Sequence, residues 1–169
     1  MSRSIIIVDY DPTWPTRFQE LRDRVTAVLG ELIVVIEHIG STSIPGCAAK
    51  PIIDLDVVIS SMTDLPQVIA RLATLGYVHE GDLGIPGREA FTASPDTPPH
   101  HLYVCSSQSE EYHRHLLFRD YLRAHPEEVQ AYQALKQRLA HQFRDDRDAY
   151  SQAKNEFIGR ILQRAGQGT

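Results

Sequence analysis

The chain has 169 residues and a formal net charge of −5, from 17 Lys and Arg against 22 Asp and Glu. This length suits one domain with its own core, and 42% hydrophobic with 23% charged residues is a globular composition. The acidic balance disfavours nucleic acid as a partner, because proteins that coat DNA or RNA usually present a basic face. No run approaches the roughly 20 apolar residues of a membrane span, so we expect no membrane partner.

The cysteines and the N-terminal stretch indicate in which cellular compartment the protein is expected. Cys47 and Cys105 are the two cysteines, and neither has the spacing of a zinc site. The opening MSRSIIIVDYDPTW lacks an apolar segment of signal-peptide length and reaches an acid at Asp9. We therefore expect free thiols and a cytoplasmic location.

The first half of the chain alternates helix and strand. Apolar residues recur at three- and four-residue steps from Trp14 to Val28 and predict a helix over 15–29. Two β-branched runs predict buried strands over 32–39 and 51–59.

Further elements follow up to the middle of the chain. Thr63 is positioned to cap a helix over 64–75, which Gly76 would end. The segments YVHE, GREAFTAS and HHLYVCS predict three more strands.

The C-terminal third is helical. Ser109 is the predicted N-cap of one helix, Pro126 begins a second, and Asp145 or Asp146 caps a third. The predicted fold is therefore α/β (α+β), a mixed β-sheet flanked by helices, in a single domain over 1–169.

The strand predicted over 51–59 carries two acids, Asp54 and Asp56, in an apolar run. Because side chains alternate along a strand, both lie on one face with Cα atoms about 6.6–6.8 Å apart. Paired carboxylates at this spacing can share one cation, and Mg²⁺ suits them when substrate phosphates complete its coordination. We predict that Asp54 and Asp56 are catalytic metal ligands; the alternative is a solvated or structural pair.

A turn of small residues, Gly40, Ser41 and Thr42, follows the first strand, and Lys50 precedes the second. Glycine permits close approach of a ligand, and turn N–H groups and hydroxyls bind anions. We predict that these four residues bind phosphates of a nucleotide, although Gly and Ser also populate ordinary loops. A phosphate-binding turn beside a carboxylate pair is suited to phosphoryl or nucleotidyl transfer.

Three further residues are candidates. Lys154 lies on the inward face of the last helix, where a lysine either extends to water or meets an anion. Arg119 is a candidate phosphate clamp, with a surface ion pair as the plainer alternative. His101 is the candidate general base, on the strand after the aspartates.

Together these motifs resemble a known family. A Gly-Ser turn followed by Asp-Leu-Asp in a strand is similar to the signature of nucleotidyltransferases related to DNA polymerase beta. The stretch HIGSTSIPGCAAKPIIDLDVVI, residues 38–59, resembles more closely the core of the GrpB family, and the likeness covers nearly the whole chain. The resemblance implies a nucleotidyltransferase-like fold but brings no settled activity. A related domain fused to dephospho-CoA kinase implies a link to coenzyme A biosynthesis.

The chain departs from active polymerase-beta-type enzymes in one respect. Those enzymes use a third carboxylate on a later strand, where HHLYVC has none. Two hypotheses follow. One is Mg²⁺-dependent transfer from a nucleoside triphosphate to a small acceptor. The other is a non-catalytic module that binds a nucleotide or a coenzyme A-type ligand, or stabilises a partner. A nucleic-acid-modifying enzyme would require a basic stripe formed by Arg123, Lys136, Arg138 and Arg144.

Overall fold

A computed structural model describes residues 4–167, so the outermost residues of the predicted domain over 1–169 lie outside the described part. Within it, one mixed sheet forms from β1 (Ile33–Ile39), β2 (Ile53–Ile59), β3 (Val78–Gly81), β4 (Arg88–Thr92) and β5 (His100–Ser106). The spatial order is β1-β2-β5-β4-β3, in which β2 and β5 are parallel and the other neighbours antiparallel. The helices are α1 (Trp14–Leu29), α2 (Leu65–Ala73), α3 (Glu110–Ala124), α4 (Pro126–Gln142) and α5 (Arg147–Gln167). The predicted mixed sheet with a helical C-terminal third is confirmed.

The two faces of the sheet are covered by different helices. Ile53, Leu55 and Val57 point into an apolar core that they share with α1 and α2. On the other face, Val58 and Cys105 pack against Tyr112 of α3. Since strand side chains alternate, Asp54 and Asp56 lie on this second face, toward the C-terminal helices.

Helix starts follow local hydrogen bonding. The Ser109 hydroxyl accepts from the Tyr112 N–H at 3.3 Å, and Asp146 Oδ1 accepts from the Ala149 N–H at 3.0 Å, so both predicted caps are confirmed. The predicted Thr63 cap is wrong. A 3₁₀ turn precedes α2, and the Ser61 hydroxyl accepts the N–H of Thr63 instead.

The last two helices bury the faces that their periodicity predicts. Val129, Tyr132 and Leu139 of α4 are buried, as are Tyr150 and Phe157 of α5. In the described range, no helix combines the length and the apolar character that crossing a bilayer demands.

Candidate functional site

Asp54 lies in the middle of the sheet, where the edge strand β1 ends. Its register partners are Ile39 on β1 and His101 on β5. Two residues further along β2, Asp56 lies between Glu37 and Tyr103. Asp54 and Asp56 therefore lie beside His101 and Tyr103 on the sheet face toward α3.

The Asp54 carboxylate is held between a histidine and a glycine. His101 Nδ1 donates to Asp54 Oδ1 at 2.8 Å, and the Asp54 side chain is 24% exposed. A Cβ on Gly40 would lie 2.4 Å from Asp54 Oδ2, and Gly40 has φ +74°. Both the close approach and the backbone conformation therefore require glycine at this turn.

Asp56 is buried beneath the same face. His115 Nδ1 donates to Asp56 Oδ2 at 2.7 Å, and the Asp56 side chain is 1% exposed. Its Oδ1 is buried and has no hydrogen-bond partner among the described residues. Burial raises the pKa of Asp56, the hydrogen bond from His115 opposes that effect, and the charge of Asp54 adds to it.

His115 also connects to a third carboxylate. Its Nε2 lies 3.1 Å from Glu111 Oε1, one turn earlier on α3. Burial alone would lower the pKa of His115, but the hydrogen bond and charge of Asp56, with the charge of Glu111, raise it above the ordinary value. A third carboxylate, that of Glu111, therefore lies near the site on a helix, with His115 between it and Asp56.

Most of the predicted site residues line one cavity of about 350 Å³. They are Gly40, Ser41, Thr42, Lys50, Asp54, His101 and Lys154. The predicted residues Asp56 and Arg119, both within the described range, are not part of its lining.

The hydroxyls of the turn are mostly engaged. Thr42 Oγ1 pairs with His38 Nε2 at 2.9 Å, and the Ser43 hydroxyl donates to the Gly40 carbonyl. The Ser41 side chain also forms hydrogen bonds, with Cys47 and Tyr132, so all three hydroxyls of the turn have partners within the protein.

Arg119 ties α3 to the edge strand. Its guanidinium donates to Glu37 at 2.6 Å, to the His38 carbonyl at 3.1 Å and to Asp120 at 2.9 Å. The side chain is buried and its donors are engaged, so its geometry fits the ion-pair alternative rather than a phosphate clamp.

Three lysines converge at the cavity. Lys154 Nζ and Lys50 Nζ lie 5.3 and 5.6 Å from the ring centroid of Tyr150, and Lys136 Nζ lies 4.4 Å from that of Tyr132. Burial, followed by repulsion from Lys50 and Lys136, lowers the pKa of Lys154 to about 8. We call Lys50, Lys136 and Lys154 the lysine cluster; it favours an anionic ligand that would restore their charged forms.

Lys136 was missed as a site residue by sequence reasoning. It is 2% exposed, and its ammonium donates to the Ala48 carbonyl. A basic stripe through Lys136 is therefore not formed. The available signal was its position four residues after Tyr132, on the same buried face of α4.

His115 was missed as well by sequence reasoning. The signal was its four-residue spacing from both Glu111 and Arg119, which puts the three on one face of α3. In the described part of the chain, no set of three or more His, Cys, Asp or Glu side chains is arranged to hold a metal ion. The metal prediction therefore depends on Asp54 and Asp56 alone.

Comparison with known proteins identifies relatives of this chain. The family model "GrpB protein" matches residues 4–164. UPF0157 protein YqkA of Bacillus subtilis (strain 168) is 40% identical over 92% of this chain, which spans 46% of YqkA, about half its length. Glutamate-rich protein GrpB of Alkalihalophilus pseudofirmus is 34% identical, with 94% of each chain covered. A dephospho-CoA kinase of Mycolicibacterium paratuberculosis is 26% identical over 94% of this chain and 45% of its own.

Solved structures give the same picture for the fold. The crystal structure of conserved protein GrpB from Enterococcus faecalis has a TM-score of 0.87 at 35% identity, covering 95% of this chain and 96% of that one. Two structures of the nucleotidyltransferase Cid1, with its short product ApU and with the UTP analog UMPNPP, give TM-scores of 0.55 and 0.54. Their identities are 12% and 14%, and they cover 77% and 80% of this chain and 42% and 43% of Cid1. The predicted nucleotidyltransferase-like fold is confirmed.

Proposed function

The chain belongs to the GrpB family, and on that premise we propose that it binds a nucleoside triphosphate and transfers a nucleotidyl or phosphoryl group to a small acceptor with Mg²⁺. One observation carries the proposal: Asp54, the Gly40–Ser41 turn and the lysine cluster line the same cavity. Such transfer depends mainly on positioning and on neutralising phosphate charge.

The two aspartates fit a hard cation. Each commits one oxygen to a histidine and keeps another, Asp54 Oδ2 and the orphaned Asp56 Oδ1, without a hydrogen bond among the described residues. Hydrogen bonds to the second oxygen orient metal-binding carboxylates, which is the role we give to His101 and His115. Bound there, Mg²⁺ would neutralise charge on the phosphates.

The other side chains have separate tasks. The lysine cluster neutralises the phosphates, and the Gly40–Ser41 turn lies beside them at the cavity. As the acceptor bonds to phosphorus, the bond to the leaving group breaks and releases pyrophosphate in nucleotidyl transfer or the nucleoside diphosphate in phosphoryl transfer. His101 accepts the proton of the acceptor, because Asp54 binds its Nδ1 and leaves Nε2 as the second ring nitrogen. Its side chain is 54% exposed, so an acceptor can approach it.

Calorimetry tests the binding step. Mg²⁺ and a nonhydrolysable analogue of each triphosphate are titrated into the wild-type protein and into the Asp54→Ala/Asp56→Ala double variant. We expect at least one analogue to bind, and to bind at least tenfold more weakly in the double variant. Equal affinities in the two proteins would defeat the proposal.

A second candidate function is a non-catalytic binding module for a nucleotide or a coenzyme A-type ligand. It is favoured by His101, which stands on β5 beside Asp54 where a third carboxylate would stand. The similarity to a dephospho-CoA kinase adds the coenzyme A link. Here binding occurs without turnover, so product formed above the level of the double variant excludes this candidate.

We place either function in the cytoplasm with a small-molecule nucleotide as partner. Cys47 and Cys105 are free thiols, which suits a reducing compartment. The net charge of −5 disfavours a nucleic-acid substrate, and Lys136 is buried away from the surface.

A further inference from the structure

Two arginines on the cavity wall have no carboxylate partner. Arg88 on β4 and Arg114 on α3 both line the cavity, and within residues 4–167 neither guanidinium group forms an ion pair or a hydrogen bond. Arg88 Nε is also buried without a partner. A buried guanidinium N–H without an acceptor is costly, and an anionic ligand would satisfy it.

The Arg88 guanidinium is held in a fixed orientation. Its Cζ lies 4.3 Å from the ring centroid of Tyr103, on the neighbouring strand. An arginine stacked on an aromatic ring covers one face of its plane and keeps its N–H edge available. That edge matches the two oxygens of a carboxylate or phosphate.

The arginines and the lysine cluster reach the cavity from different structural elements. The charges that act on Lys154 are those of Lys50, Lys136 and Asp54. The charges that act on Tyr103 are those of Asp54, Arg88, Asp56 and Glu111. Asp54 is common to both sets and lines the same cavity as the lysines of α4, α5 and the segment before β2 and the arginines of β4 and α3.

We propose that Arg88 and Arg114 bind an acid group of the acceptor, which is thus a small molecule carrying a carboxylate or a phosphate. This inference rests on the proposed function and names the acceptor class for the same cavity. The lysine cluster holds the donor's phosphates, the arginines hold the acceptor's oxyanion, and the reacting group lies near Asp54 between them. Glu111, which also lines the cavity, pairs with His115 rather than with either arginine.

Calorimetry on the loaded protein tests the acceptor site. Inorganic phosphate and succinate are titrated separately into protein saturated with Mg²⁺ and the nonhydrolysable triphosphate analogue that binds best. We expect at least one probe to bind, and the Arg88→Lys and Arg114→Gln variants to weaken it at least fivefold. The analogue's own affinity should change less than twofold, and the probe that binds tells which acid the acceptor carries.

The controls separate this inference from the proposed function. Arg138→Gln removes an exposed arginine outside the cavity lining and should leave probe binding unchanged. If no analogue binds, the proposed function fails, and the same variants are compared in the free protein. The acceptor site is overturned if neither probe binds, or if both arginine variants bind the probes as the wild type does. Arg114 is exposed, so its variant is expected to fold even if an Arg88 variant does not.

Discussion

The two faces of β2 and β5 share one backbone and differ in almost everything else. One face packs Leu55, Val57 and Leu102 against α1 and α2 in a dry apolar core. The other presents Asp54 and His101 to a cavity covered by α3, α4 and α5. The first face is built for burial, whereas the second keeps ionisable groups close together. Stability and ligand binding should therefore respond to substitutions on opposite faces.

The largest expected effect comes from the apolar face. Leu55 is fully buried, so Leu55→Ala should lower the free energy of unfolding by about 2–5 kcal/mol in urea denaturation. Its neighbour Asp54 faces the cavity, so Asp54→Asn should cost less than about 1 kcal/mol and instead weaken binding of the triphosphate analogue.

Val34→Ala is the matched control for the leucine, because this β1 side chain is 57% exposed and should cost under about 0.5 kcal/mol. If Asp54→Asn destabilised the protein as much as Leu55→Ala, the carboxylate would be part of the core and the division between the faces would be lost.

His38, a titratable residue on the apolar face, provides a pH-dependent test of the difference between the two faces. His38, the register partner of Leu55, stacks on Phe18 at 4.7 Å, and burial lowers its pKa to about 4 from 6.5. As the pH falls, His38 takes up a proton at a higher pH in the unfolded chain than in the folded protein. The stability contributed by the neutral His38 ring is therefore complete above pH 6.5 and is lost as the pH falls toward 4. The loss amounts to about 3 kcal/mol at most.

The check is urea denaturation at several pH values with His38→Gln, which can still pair with the Thr42 hydroxyl but cannot titrate. Between pH 6.5 and 4 the variant should lose less stability than the wild type. Parallel curves for the two proteins would mean that other groups cause the acid destabilisation.

The two faces also differ in how far the sequence predicts them. Alternation and apolar periodicity predict Leu55 as core and Asp54 and Asp56 as a shared-face pair, because those patterns are local. The spacing of His115 from Glu111 and Arg119 places the three on one face of α3, but which turn of that face lies over Asp56 depends on how the helix docks. The spacing of Lys136 from Tyr132 places it on the buried face of α4, but only tertiary packing shows that the lysine itself is enclosed.

The turn at Gly40 links the two regions and should show an intermediate effect. Gly40→Ala puts a side chain at φ +74° and within 2.4 Å of Asp54 Oδ2, so it should cost about 1–3 kcal/mol and weaken binding of the triphosphate analogue. Gly46→Ala is the matched control, since Gly46 has φ +79° but no atom within 4 Å of the added Cβ. Equal losses of binding in both variants would assign the effect to backbone strain rather than to contact with Asp54.

The smallest expected energy change comes from substitution of Lys154, which should affect ligand binding but not stability. Lys154 is a half-buried cation repelled by two others, so Lys154→Met should leave the melting temperature unchanged or raise it, as removal of a functional charge often does. The same variant should bind tripolyphosphate about tenfold more weakly, a difference of about 1.4 kcal/mol. Because the pKa of Lys154 is about 8, the affinity of the wild type for tripolyphosphate should fall as the pH rises through 8, while the variant shows a smaller change there.

The control is Arg160→Gln, which removes an exposed charge on the same helix and should alter neither the melting temperature nor the tripolyphosphate affinity. If Lys154→Met lowered the melting temperature and left tripolyphosphate affinity unchanged, Lys154 would contribute to packing, as the residues of the apolar face do, and would not bind the anion.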